Sequence, residues 1–194
     1  MSRAFVIGNG VSRQQIELST LQALGKVYGC NALYRDFVPN VLVSTDKPIS
    51  EKIQNSGYPL KNKHYTRKPI PGLGSLPVPQ EYFGFSSGPI ATSLAALDGA
   101  VSIYLVGFDM GPYNRAFNNV YADTEFYKKS NAPPTFTGNW AKQLVRIAKD
   151  FPNCMFYRVH GTTTAVVPEF EKVPNLKPLD MSEFLNRINN TKDL

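Results

Sequence analysis

The feature that most constrains this chain is its opening run, Arg3-Ala4-Phe5-Val6-Ile7-Gly8-Asn9-Gly10-Val11-Ser12. An apolar stretch stops at a Gly-x-Gly turn, and a serine follows where a helix would begin. Glycines let a backbone come close to a ligand, and the free N–H groups at a helix start attract anions. A strand, a tight loop and a helix start, in that order, open a nucleotide-binding α/β domain.

The rest of the chain repeats the alternation. Strand-like runs fall at 5–7, 26–30, 41–44, 63–66, 102–106 and 155–159, with Ser102-Ile103-Tyr104-Leu105-Val106 the clearest. Helical periodicity fills 13–24, 50–56, 89–98, 140–150 and 181–188, where apolar residues recur at three and four positions. Ser12-x-x-Gln15 and Asp180-x-x-Glu183 read as capping boxes, and Pro89 suits the first turn of its helix. This order predicts a Rossmann-like α/β fold: a mostly parallel sheet with helices on both faces. The nucleotide-binding domain spans 1–167, and 168–194 forms a peripheral arm ending in one helix. A polar and aromatic segment, about 110–137, is too long for a plain connector and reads as a lid.

A chain of 194 residues suits one domain and needs no disulfide or metal to build its core. Cys30 and Cys154 both lie in or beside apolar runs, so buried free thiols in a reducing, cytoplasmic setting are expected. No window is apolar enough for a membrane span, and the N-terminus lacks a signal-peptide core. With two histidines and no Cys/His cluster, no built-in zinc site or other resident cofactor is expected. The net charge of +6 mildly favours anionic ligands. The basic run Lys61, Lys63, His64, Arg67 and Lys68 reads as a solvated face; no recognition helix or aromatic-studded sheet accompanies it, which argues against nucleic acid as a partner. A homo-oligomer is compatible with the sequence.

In a parallel sheet, ligands bind at the carboxyl ends of the strands. Those ends carry Gly8-Asn9-Gly10-x-Ser12, Asn31, Ser44-Thr45-Asp46 and Gly107-Phe108-Asp109, with Ser86-Ser87-Gly88 before the helix that precedes the fifth strand. Small hydroxyls, amides and glycines on one rim suit a ribose, a base edge and phosphate oxygens. Each residue also has a local reading. Ser12, Ser86 and Ser87 can cap helices, Asn31 and Asp109 can shape turns, and Asp46 can satisfy amides before Pro48.

Gly8-Asn9-Gly10-Val11-Ser12 resembles the opening Gly-Asn-Gly-Pro-Ser of a family of bacterial sialyltransferases, which transfer sialic acid from CMP-sialic acid. Cys30-Asn31-Ala32-Leu33-Tyr34 is similar to that family's Cys-Asn followed by an aromatic. The block from Ser86-Ser87-Gly88 to Gly107-Phe108-Asp109-Met110 resembles its Thr-Ser-Gly, helix, strand, Gly-Ile-Asp-Phe segment. A related group, including archaeal-type pterin pyrophosphokinases and motility-associated glycosylation factors, shares the opening motif and the strand ending in Gly-x-Asp. The three patches cover about a third of the chain. The resemblance implies that Gly8, Asn9, Gly10, Ser12 and Asn31 hold a nucleotide. Ser86 and Ser87 would face the cytidine or phosphate, and Gly107 and Asp109 would shape the rim beneath. Tyr113 and Tyr121 are its candidates for stabilising a departing phosphate, a role in which a phenol strengthens its hydrogen bond as charge develops.

The sequence departs from the family at one chemical position. The sialyltransferases carry a histidine base in a Gly-His motif before their last helix, and here the chain reads Thr137-Gly138-Asn139-Trp140. A base near neutral pKa is needed to deprotonate an acceptor hydroxyl, and asparagine has none. His160, Asp46 and Asp109 are the substitutes the sequence offers. The expected function is a glycosyltransferase-like transferase using a CMP- or other nucleotide-sugar and a glycan or small-molecule acceptor. Two alternatives stay open: a Mg²⁺-dependent diphosphotransferase of the pterin type, and a binding protein that kept the nucleotide fold without catalysis.

Overall fold

Strand β1 (Arg3–Ile7) lies in the middle of an eight-stranded sheet, between β2 (Lys26–Cys30) and β6 (Ser102–Val106). The structure is a computed structural model and describes residues 2–191. Beyond β2 lie β3 (Val41–Val43), β4 (His64–Thr66) and the short β5 (Leu76–Pro77). Beyond β6 lie β7 (Met155–His160) and β8 (Leu176–Asp180), giving the order β5-β4-β3-β2-β1-β6-β7-β8. Every pairing is parallel. The expected fold class is therefore the observed one.

Side chains alternate across the sheet and split the core into two layers. Ala4, Val6, Ile103 and Leu105 face α3 (Ser87–Leu97) and α4 (Gly138–Asp150). Phe5, Ile7, Tyr104 and Val106 face α1 (Leu18–Gln22), α2 (Lys47–Asn55) and α5 (Met181–Asn189). Helix α3 is buried at nearly every position of its Ser-Gly-Pro-Ile-Ala-Thr-Ser-Leu-Ala-Ala-Leu sequence. Its small residues let it lie close over β1, β2 and β3 while α4 covers it. No helix among the described residues is long and apolar enough to cross a membrane.

Several boundaries differ from expectation for identifiable reasons. The helix expected over 13–24 is broken into a 3-10 turn, Val11–Gln15, and the short α1, with Ile16 extended between them. Neither expected capping box forms: Ser12 turns its N–H and hydroxyl to Asp109, and Glu183 pairs with Arg187. The two strands unforeseen in the sequence, β5 and β8, are the sheet's edges, and both contain proline. Proline removes a ladder donor and is tolerated at an edge, so it hides such strands from pattern reading. Because of β8 and α5, the stretch 176–189 belongs to the sheet and its helix layer rather than standing apart. Phe184 of α5 is fully buried against Phe5 and Tyr104. Cys30 and Cys154 are buried free thiols.

Candidate functional site

Chain order reverses between β1 and β6, and their two exit loops meet there. Gly8 N–H donates to Val106 O at 2.7 Å, and Gly10 N–H donates to Gly107 O at 2.9 Å. A Cβ on Gly8 would lie 2.6 Å from Gly107 O, and one on Gly10 would lie 2.5 Å from Asp109 Cγ. Gly107 has a left-handed φ of 75° and would put its own Cβ 2.6 Å from Gly8 O. These glycines are demanded first by loop–loop contact. They form the floor of a cleft of about 330 Å³ at the carboxyl ends of β1, β2, β3 and β6, the place where open α/β sheets bind ligands.

Asp109 is the knot that ties this floor. Its buried carboxylate accepts from Ser12 N–H at 3.1 Å, Asn118 Nδ2 at 3.1 Å, Thr163 Oγ1 at 2.6 Å and Thr164 Oγ1 at 3.0 Å, and from the Ser12 hydroxyl. Arg158, 2% exposed, lies behind it and donates to the carbonyls of Phe108, Asp109 and Ala165 at 2.8–2.9 Å. Burial pulls the Arg158 guanidinium down to about 10. With its lone pairs so occupied, Asp109 serves architecture and is poorly placed to take a substrate proton.

The walls carry groups with unused hydrogen-bonding capacity. Asn9 is 8% exposed; its Nδ2 donates to Cys30 O at 3.1 Å, while its buried Oδ1 has no partner. Asn31, at the exit of β2, has a left-handed φ of 55°, which a short polar side chain tolerates. Its Oδ1 accepts from Ser87 Oγ at 3.1 Å, and Ser87 in turn accepts from Thr45 N–H at 3.0 Å. The N-terminus of α3, from Ser86 to Gly88, opens on the cleft opposite these amides. Asp46, exposed at the N-cap of α2, lines the same cleft and makes no side-chain cap bond. Cys30 also lines it, but burial pushes its thiol up to about 12, which removes it as a nucleophile.

The segment expected to be a lid is partly fastened. Asn118 accepts from Val11 N–H at 2.9 Å and donates to Asp109 and Gly111 O, and Val120 N–H donates to Asn9 O at 2.8 Å. Tyr121 is 5% exposed; its hydroxyl donates to Asp36 at 2.6 Å and accepts from Arg13 at 2.8 Å. Burial and the Asp36 carboxylate raise the Tyr121 pKa well above the phenol range. Arg35 spans Thr124 and Glu125 and lies over the rings of Tyr121 and Tyr127. This clamp joins the loop to the 3-10 turn Asn31–Arg35, which carries Asn31.

Gly8, Asn9, Gly10, Asn31, Asp46, Ser86, Ser87, Gly107 and Asp109 thus meet in one cleft. Ser12, Tyr113, Tyr121 and His160 are not among its lining residues. Ser12 lies beneath the floor on Asp109, and Tyr121 is spent in the clamp. Tyr113 is 42% exposed in a turn closed on Ala116. His160 ends β7, 3.4 Å from Arg158 Nη1; burial and that cation hold its pKa below the usual histidine range. His64 is fully buried between Ser44 Oγ at 2.6 Å and Ser75 Oγ at 2.7 Å, and burial takes it down to about 4. Among the described residues the carboxylates lining the cleft are Asp46 and Asp109, and Asp109 is already met by five donors. Arg67, Asn118 and Trp140 also line the cleft. Trp140 follows the missing Gly-His, Asn118 carried no signal in the sequence, and Arg67 was hidden in a run of solvent-like charges.

No protein-family model matches the sequence, and no curated protein matches it significantly. Solved structures share its fold. The monofunctional α-2,3-sialyltransferase Cst-I from Campylobacter jejuni matches with a TM-score of 0.55 and 12% identity, over 90% of this chain and 80% of that one. Sialyltransferase CST-II in complex with trisaccharide acceptor and CMP matches with a TM-score of 0.54 and 14% identity, over 90% and 87%. CstII from Campylobacter jejuni with the substrate analogue CMP-3FNeuAc gives 0.51 and 14%, over 81% and 80%. The fold is sialyltransferase-like.

Proposed function

We propose that this chain is a glycosyltransferase-like transferase whose cleft binds a nucleotide-activated sugar, with a CMP-sugar as the leading donor. The observation that carries the reading is the convergence of Asn9, Asn31, Ser86 and Ser87 on one cleft at the carboxyl ends of the strands. Amides and hydroxyls so gathered can pair with the hydroxyl, amino and phosphate groups of a ligand, each bond worth about 0.5–1.5 kcal/mol. Asn31 and the α3 N-terminus add donors suited to ribose and phosphate oxygens. The shared fold with enzymes solved with CMP or a CMP-sugar analogue supports cytidine as the base.

In this reading Asp46 takes the proton of the acceptor hydroxyl. It is the cleft carboxylate outside the floor's network, and it reaches solvent at the mouth. The acceptor oxygen attacks the sugar carbon, the bond from that carbon to the phosphate oxygen breaks, and the nucleotide leaves. Asn139, where the family carries histidine, favours one rival: a binder without turnover.

Titration calorimetry with CMP, UMP, GMP and ATP, with and without Mg²⁺, tests the assignment. Metal-independent binding of CMP, weakened about tenfold in Asn9→Ala, is expected. Binding of none of them overturns it. CMP release from CMP-sialic acid then separates an enzyme from a binder.

A further inference from the structure

We propose that Arg67 is the anion anchor of the cleft, holding a phosphate or carboxylate oxygen of the bound ligand beside the N-terminus of α3. This rests on the nucleotide reading above. Arg67 follows β4, and its guanidinium is fixed from behind: Nε donates to Phe83 O at 2.9 Å and Nη2 donates to Phe85 O at 2.7 Å. Those carbonyls lead directly into Ser86 and Ser87. Among the described residues Arg67 has no carboxylate partner, although Asp46 lines the same cleft. It is the one Lys or Arg among the described residues lining the cleft. The two backbone bonds leave Nη1 and one Nη2 proton unused. A cation locked by neutral carbonyls keeps its full charge and has its orientation set before the ligand arrives, so little ordering cost is left for binding. The open N-terminus of α3 favours the same sign of ligand.

Two groups of a nucleotide-sugar have this chemistry, the nucleotide phosphate and the carboxylate of an acidic sugar. Titrations of wild type, Arg67→Met and Arg67→Lys with cytidine, CMP and N-acetylneuraminic acid (the last with CMP present) tell them apart. If Arg67 meets the phosphate, wild type binds CMP about tenfold or more tighter than cytidine. Arg67→Met then erases that gap without weakening cytidine, and Arg67→Lys restores part of it. If it meets the carboxylate, the CMP-to-cytidine gap survives and binding of N-acetylneuraminic acid is lost. An equal loss for cytidine and CMP in Arg67→Met means that Arg67 only braces the 83–85 backbone, which overturns the proposal. Unchanged affinities for all three probes overturn it as well, with the nucleotide reading intact. A wild type that binds neither CMP nor cytidine removes both.

Discussion

Ser12 gives both its backbone N–H and its hydroxyl to the carboxylate of Asp109, 97 positions further along the chain. That double contact joins the exit of β1 to the exit of β6, and Thr163, Thr164 and Asn118 close on the same two oxygens. The cleft floor is thus a single hydrogen-bonded unit drawn from four stretches of chain.

Asp109→Ala should therefore act on stability. Removing a carboxylate with five donors leaves buried N–H and O–H groups unmet, a loss of about 3 kcal/mol or more. Ser12→Ala should cost about 1–2 kcal/mol, because the backbone contact remains. Urea denaturation checks both, and an Asp109→Ala midpoint equal to wild type would refute the tie.

Gly107→Ala should be as damaging for a different reason. Its left-handed backbone alone costs about 1–2 kcal/mol for an L-residue, and the new Cβ meets the carbonyl of Gly8 at 2.6 Å. The melting temperature should drop by several degrees. Gly99, also left-handed but with nothing within 4 Å, provides the control: its alanine variant should show the conformational cost alone.

Acid should weaken the fold through His64. The unfolded chain takes up a proton near pH 6.5, while the buried ring resists until about pH 4. The stabilising neutral form is complete above pH 6.5 and is lost as pH falls towards 4, up to about 3 kcal/mol in all. His160 is shifted the same way and adds to the trend. Stability curves from pH 7 to 4 for wild type and His64→Gln measure it, and the variant should have the flatter slope.

Asp46→Asn should reduce transfer about 10²- to 10⁴-fold while CMP affinity changes little, as expected for the loss of a general base. Steady-state kinetics beside calorimetry separate these quantities. Full activity in Asp46→Asn would move the proton acceptor elsewhere.

Tyr121→Phe should loosen the clamp without opening the core. Amides at 119–128 should exchange faster, while those of β1 and β6 keep their protection. Equal exchange in the two proteins would mean that Arg35, Asn118 and Val120 hold the loop without the Tyr121 hydroxyl.

The alternation of apolar runs made the central strands and the sheet's direction legible, because these strands are buried on both faces. The edge strands were not, since prolines at Pro77 and Pro178 mask them. The rim residues were also legible as a group, since topology alone brings strand ends together. Their individual roles were less so. Asp109 and Ser12 appear in sequence as a turn residue and a helix cap, and only the fold shows that they serve each other. Arg67 reads as surface charge because nothing local reveals that two carbonyls 16 and 18 residues away hold it inward.

The glycine interlock of Gly8, Gly10 and Gly107 also bears on how such a protein changes over generations. The floor's shape is written mainly in main-chain atoms and one carboxylate, whereas Asn9, Asn31, Asp46 and Arg67 line the cleft above it. Mutation can therefore explore new donors and acceptors at the walls while the scaffold beneath is left untouched. A lineage built on this floor can change its chemistry without passing through an unfolded ancestor.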